Sequence, residues 1–201
     1  VSRELELTLT GKDCGLSERA PMCGIPYHAA ETYINRLIDK GYKVAICEQV
    51  EDPKTAKGIV KREVTRVVTP GTNLNMQELD EGKNNYLMAI VCVGDHFGVS
   101  TADITTGDCY VTEVDEERKL WDEINKFLPA EIICNDAFLV SGVDVDDLRN
   151  RLHISVFALE SWYFGDDLCK QTLLEHFKIS SPEGLGLADY DSGVIAAGSL
   201  F

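Results

Sequence analysis

Two rhythms of apolar and polar residues run along this chain. Leu5, Leu7 and Leu9 alternate with Glu6, Thr8 and Thr10, a period of two that predicts a strand with one buried face. Gly11–Arg19 is polar and reads as a loop. The period then lengthens: Tyr33, Ile34, Leu37 and Ile38 share one stripe of a helix begun near His28 and running on through Thr32–Lys40, with Gly41 as its C-cap. Lys43–Gln49 reads as a buried strand, and Pro53 as the first position of a short helix. Ile59–Thr69 alternates in part, with Val60, Val64 and Val67 as β-formers and Lys61, Arg62 and Arg66 among them, and Pro70-Gly71 ends it as a turn.

Thr72–Asn85 has little apolar content and no period, so it reads as a linker. Beyond it comes a strand meander: Tyr86–Val93, a Gly94-Asp95 turn, Phe97–Ile104, a Thr106-Gly107-Asp108 turn, and Cys109–Val114. Asp115–Leu128 is a helix with Leu120, Ile124, Phe127 and Leu128 on one face. Glu131–Cys134 and His153–Phe157 read as strands; Val145–Arg151, Leu168–Phe177 and Asp191–Phe201 read as helices. Strands grouped first, then helices alternating with strands, predict an α/β (α+β) chain whose larger part is a mixed sheet covered by helices. The expected division is 1–71, a linker at 72–84, and 85–201.

The stretch APMCGIPYHAAETYINRL (Ala20–Leu37) stands out, because a loop holding two prolines and a methionine sits directly on an amphipathic helix. Met22 has two readings there. It plugs a gap in a core, or it is an unbranched apolar wedge of the kind that enters a minor groove. Lys54–Arg66 holds Lys54, Lys57, Lys61, Arg62 and Arg66 against Glu63. Such a run contacts phosphates, or it protects a strand edge from pairing.

Charge separates the halves. The whole chain carries −15, yet residues 1–75 have 11 Lys+Arg against 10 Asp+Glu, whereas residues 76–201 have 8 against 24. The acidic total therefore does not exclude nucleic acid from the first half. No apolar run approaches the roughly 18 residues of a membrane span. Seven cysteines, none in C-x-x-C, with Cys47, Cys92 and Cys134 inside apolar strand-like runs, point to small buried hydrophobes in a reducing cytoplasm. The start at Val1 without Met and the uncapped apolar finish VIAAGSLF suggest a piece of a longer protein.

Cys14, Cys23 and His28 lack the close ligand pairs of a zinc site. Nucleophile-elbow, His-Glu-x-x-His and phosphate-loop motifs are absent. Asp95, Asp103, Asp108 and Asp136 lie near strand ends, where they are either turn residues or the carboxylates of a two-metal nuclease.

The blocks PMCGIPYHA, VAICEQVEDP and REVTRVVTPGT together closely resemble the mismatch-binding domain of the bacterial MutS family, and NNYLMAIV, ADITTGDCYVTEV, PAEII and GLGLADYDSGVIAAGSLF resemble its connector domain. The resemblance implies a mixed α/β domain that enters the minor groove of kinked, mismatched double-stranded DNA. A ribonuclease H-like connector would then join it to a clamp and an ATPase body and meet a MutL-type partner. It implies a homodimeric parent whose ATP and magnesium sites lie outside this chain, with no cofactor, catalytic residue or metal site within it. It places Pro21 and Met22 beside the mismatch and Lys12 near the DNA backbone, and makes Lys61, Arg62 and Arg66 candidate phosphate contacts. The family reads a mismatch with a Phe-x-Glu motif, and no Phe of this chain is followed by Glu two positions on. That motif is expected upstream of the position matching Val1. The alternative reading is a ribonuclease H-like metal-dependent nuclease.

Overall fold

The computed structural model describes residues 1–15, 17–56, 58–73 and 84–201. The chain divides into two units, Val1–Asn73 and Leu74–Phe201. The stretch expected as a linker, 72–84, falls almost wholly outside the described residues, and Lys57 of the basic run lies outside them too.

In the first unit a short antiparallel ribbon, β1 (Thr10–Lys12) with β2 (Ala20–Met22), precedes α1 (Ala30–Ile38). A second antiparallel ribbon follows, β3 (Val44–Gln49) with β4 (Arg62–Val68). The stripe of α1 points inward through Ile38, and Asn35 is buried beside it. Gly41, at φ +77°, closes the helix, with Tyr42 N–H donating to the Leu37 carbonyl. After β4, Thr69 and Thr72 form a capping box around a 3-10 turn, and Asn73 Nδ2 donates to Asn35 Oδ1 at 3.3 Å, tying this turn to α1.

Besides the loop residues Gly11, Lys12, Pro21 and Met22, which lie in strands β1 and β2, three expectations for this unit fail. Leu5–Leu9 is not a strand. No described strand lies beside it, and the backbone satisfies itself locally: Leu5 N–H donates to the Val1 carbonyl and Leu7 N–H to that of Ser2, both at 2.9 Å, around Glu6 at φ +54°. Leu5 is buried but Leu9 is exposed. Next, β3 forms but is not buried: only Val44 and Ile46 are half-covered, and Cys47 is exposed, because a two-stranded ribbon has one covered face at most. Finally, Pro53 opens no helix. Thr55 and Ala56 N–H both donate to the Asp52 carbonyl and the turn stops there.

The second unit is a five-stranded mixed sheet in the order β7-β6-β5-β8-β9. Here β5 is Tyr86–Val93, β6 His96–Asp103, β7 Cys109–Val114, β8 Glu131–Cys134 and β9 Ser155–Ala158. β5, β6 and β7 are antiparallel neighbours, and β8 and β9 run parallel to β5. Alternate residues of β5 serve two cores. Met88, Ile90 and Cys92 pack with Leu120 and Ile124 of α2 (Glu117–Phe127), Phe138 of α3 (Asp136–Leu139) and Leu148 of α4 (Val145–Asn150). Leu87, Ala89 and Val91 pack with Ala196 of α6 (Ser192–Gly198). Each fully buried large side chain contributes about 1.5–3 kcal/mol. Arg149 Nη2 donates to the Val156 carbonyl at 2.9 Å, covering part of the outer edge of β9.

Helix α6 lies so close to the sheet that only glycine fits beneath it: a Cβ on Gly98 would sit 2.1 Å from the Ser192 carbonyl oxygen. α6 has no cap of its own, and Glu113 of β7 supplies one. Its Oε1 accepts from Asp191 N–H (2.8 Å), Gly193 N–H (2.7 Å) and Ser192 Oγ–H (3.1 Å). α5 (Asp166–Phe177) packs alongside α6 through Leu173 and Ala197. All seven cysteines are free, and Cys92, Cys134 and Cys169 are buried. Burial pushes the Cys134 thiol up to about 12 against the opposing pull of Arg149, and that of Cys169 up to about 11, so both are inert at neutral pH. No helix among the described residues is long and apolar enough to cross a membrane.

Candidate nucleic-acid interface

The proline-methionine loop of the sequence becomes one strand of the β1–β2 ribbon. Thr10 lies opposite Met22, Gly11 opposite Pro21 and Lys12 opposite Ala20. Thr10 Oγ1–H donates to the Met22 carbonyl at 2.8 Å and pins the register. Pro21 has no N–H to give, which a two-stranded ribbon tolerates. Pro26, extended at φ −62° and ψ 139°, leads into a 3-10 turn at Tyr27–Ala29 and so into α1. The prolines thus fix the path on both sides of Met22.

Met22 is 46% exposed, so it does not fill a core gap. Lys12 and Pro21 are exposed on the same ribbon. Arg19 joins them. A Cβ on Gly11 would meet the Arg19 Cβ at 3.1 Å and its Nε at 3.6 Å, so the Arg19 chain lies over Gly11, one residue from Lys12. Arg19 carries no periodic signal, and sequence reasoning missed it. Lys12 and Arg19 make no ion pair among the described residues.

Lys61, just before β4, and Arg62 and Arg66 within it are all exposed, but the two in the strand do not share a face. Arg62 pairs with Gln49 and Arg66 with Ile46, and a bulge between these pairs shifts the register. The extra residue, Thr65, leaves Arg66 on the side of Ile46 and Val68, facing α1, where Nη2 lies 3.4 Å from Glu31 Oε2. Arg62 shares the opposite side with Val64. Lys61 pairs with Glu63, and its N–H donates to Glu51 Oε2 at 3.1 Å.

The carboxylates of the nuclease alternative do not converge. Asp95 and Asp108 sit in turns, and Asp108 Oδ2 accepts from Thr106 Oγ1 at 3.0 Å. Asp103 is buried at the end of β6, with Oδ1 accepting from Thr105 N–H (2.8 Å) and Oγ1–H (2.6 Å). Asp136 is the exposed first residue of α3. Among the described residues no group of three or more His, Cys, Asp or Glu is placed to hold a metal. This covers Cys14, Cys23 and His28 as well. The nuclease alternative has no support and is set aside.

Comparison with known proteins agrees with the sequence blocks. Residues 1–77 match the family model of MutS domain I, and residues 85–201 that of MutS domain II. The chain is 65% identical over its whole length to the DNA mismatch repair protein MutS of Lachnoclostridium phytofermentans, of which it covers 22%. The proteins of the same name from Ruminiclostridium cellulolyticum and Alkaliphilus metalliredigens are 50% and 46% identical, again over the whole chain and 23% of each relative. The chain thus spans about a fifth of the length of the curated relatives it matches.

Proposed function

The chain belongs to the MutS family, and from that membership we propose that it is the DNA-contacting and coupling portion of a mismatch repair ATPase. The observation that carries this reading is Met22, held open on a ribbon beside Lys12 and Arg19. Residues 1–71 approach the minor groove of a mismatched duplex with Pro21 and Met22 at the bases. An apolar wedge partly unstacks a base step, and cations at its flanks hold the backbone. The fixed proline path lowers the ordering cost of that contact. Lys61, Arg62 and Arg66 add phosphate contacts. Among the described residues, the side chains of Lys61 and Arg66 are held by exposed ion pairs, on the order of 0–1 kcal/mol each, which a phosphate can replace.

After a linker at 72–84, residues 85–201 pass position from the DNA-contacting domain to the parts of a cytoplasmic homodimeric parent that bind ATP and magnesium, and meet a MutL-type partner. The fold of this second unit, with its own two-sided core, suits a rigid coupling body.

Fluorescence anisotropy on matched and mismatched oligonucleotides tests the DNA reading. The 201-residue chain has no Phe-x-Glu motif. Stacking of an aromatic on a base contributes about 1–3 kcal/mol, so the chain is expected to prefer a mismatch by less than about tenfold. Met22→Ala and Lys12→Glu weaken binding to both duplexes. Binding unchanged by both substitutions removes the ribbon from the interface.

A further inference from the structure

The 3-10 turn Ser161–Phe164 joins edge strand β9 to α5 and splits three consecutive aromatics between two tasks. Phe164 turns inward and packs against the Leu87, Ala89 and Val91 core. Trp162 and Tyr163 turn outward and stack on each other, ring centroids 3.8 Å apart and planes at 26°. They are 55% and 41% exposed, and Leu168 of α5 is exposed on the same stretch. The slab is held in place from below. Trp162 Nε1–H donates to Glu160 Oε2 at 2.8 Å, Tyr163 N–H to the Glu160 carbonyl at 3.0 Å, and Cys169 Sγ–H to the Tyr163 carbonyl at 3.3 Å. Carboxylates flank it along the chain: Glu160 precedes the turn, and exposed Asp166 and Asp167 form the first turn of α5 directly after it. The nearby cation, Lys170, is already paired with Asp166 at 2.8 Å, and Asp167 has no ion pair among the described residues.

We propose that Trp162, Tyr163 and Leu168, flanked in the chain by Glu160, Asp166 and Asp167, form a docking surface for a protein segment that presents arginine or lysine beside an apolar side chain. Charge complementarity selects this occupant. Both stacked rings remain partly exposed, and an arginine guanidinium both lies flat on an aromatic face and meets carboxylates in a bidentate fork. Trp and Tyr are the side chains most often found to dominate an interface, and rings already fixed in the free protein lose little freedom on binding. DNA is repelled here by the carboxylates, and a second copy of this acidic surface would bring like charges together. The proposal deepens the partner role given above to the second unit by giving it a place, and it rests on that role alone.

A library of random short peptides displayed on phage and panned on the 201-residue chain provides the test. The background is Trp121→Phe, so that emission reports Trp162, the other of the two tryptophans. Enriched peptides are expected to place Arg or Lys next to apolar residues and to shift Trp162 emission saturably. They should lose at least about tenfold in affinity against Trp162→Ala, the scale of an interface hot spot, and lose affinity also against Asp167→Lys. Thermal melts followed by circular dichroism confirm that the variants fold. If Trp162→Ala does not, the exposed Asp167→Lys carries the test. No enrichment, enrichment of acidic or neutral peptides, or binding that ignores both substitutions overturns the proposal. Self-association of the chain abolished by Trp162→Ala overturns it too, in favour of a second copy. A MutL-type partner that binds Trp162→Ala and Asp167→Lys as tightly as the unsubstituted chain overturns the surface while leaving the partner role intact.

Discussion

Strand β4 in the first unit and strand β5 in the second are both rich in valine and other β-formers, yet Val64 and Val67 of β4 are exposed while Met88 through Cys92 of β5 are buried without a break. The difference lies in what covers them. β5 has a strand on each side and a helical layer on each face; β4 has one partner strand and α1 toward one side. Charge follows the same division, nearly balanced over residues 1–75 and strongly acidic over 76–201. A region whose apolar and cationic side chains remain open suits contact with a ligand, whereas one that has covered its strands suits the transmission of position. The fold of the second unit is held by its core; the shape of the first depends on short ribbons, turns and prolines.

Removing the core of the second unit should separate the two most sharply. Phe138→Ala leaves a cavity under β5 and is expected to cost about 3–5 kcal/mol, read as a lower urea midpoint for the second unit. A loss under 1 kcal/mol would mean that α3 is not part of that core. Next in size, residues 85–201 made alone are expected to melt cooperatively and retain no duplex DNA at moderate salt. Tight duplex binding by this piece would erase the electrostatic contrast.

A smaller effect tests the first unit. Reversing Lys61, Arg62 and Arg66 to Glu in the full-length protein should flatten the dependence of log affinity on log salt by about 1 for each lost phosphate contact. An unchanged slope returns these residues to edge protection.

The smallest effect concerns pH. His96 Nδ1 lies 2.8 Å from Asp115 Oδ1, and the hydrogen bond to Asp115, then its charge, raise the imidazole pKa above its ordinary value, with Asp95 and Glu113 adding to the rise. The folded value lies above the unfolded one. The stabilisation is therefore complete below the unfolded pKa and fades as pH rises through the folded one. Asp115→Asn should lower the His96 pKa in an NMR titration; an unmoved value would show that the pair does not form in solution.

Much of the second unit was legible from the sequence. Its alternation matched a sheet with neighbours on both sides, and Gly94-Asp95 and Thr106-Gly107-Asp108 marked the turns, so β7 falls on the expected residues and α2 within a residue or two. Four-residue α3 was missed, since so short a piece has no period; its signal was Asn135, whose side chain accepts from Phe138 N–H as an N-cap. In the first unit the same alternation misled. Leu5–Leu9 had the pattern of a strand without a neighbour to pair with. For the candidate site, the order of residues singled out Met22, and the family resemblance alone pointed to Lys12; neither showed that a ribbon register would bring them together, nor that Arg19 would lie over Gly11. The basic run read as one cluster, and a single bulge divided it between two faces.

Glu113 and the three groups it accepts from are separated by 78 to 80 residues of chain. During synthesis at roughly 5–20 residues per second, β7 leaves the ribosome about 4–16 s before the segment it must cap. Until then the β5–β6 face that α6 will cover, Leu87, Ala89 and Val91 beside Gly98, stands open to water and to other nascent chains. Helix α6 thus acts as a late-arriving lock on this unit, and a chaperone would have its strongest reason to engage the unit in that interval.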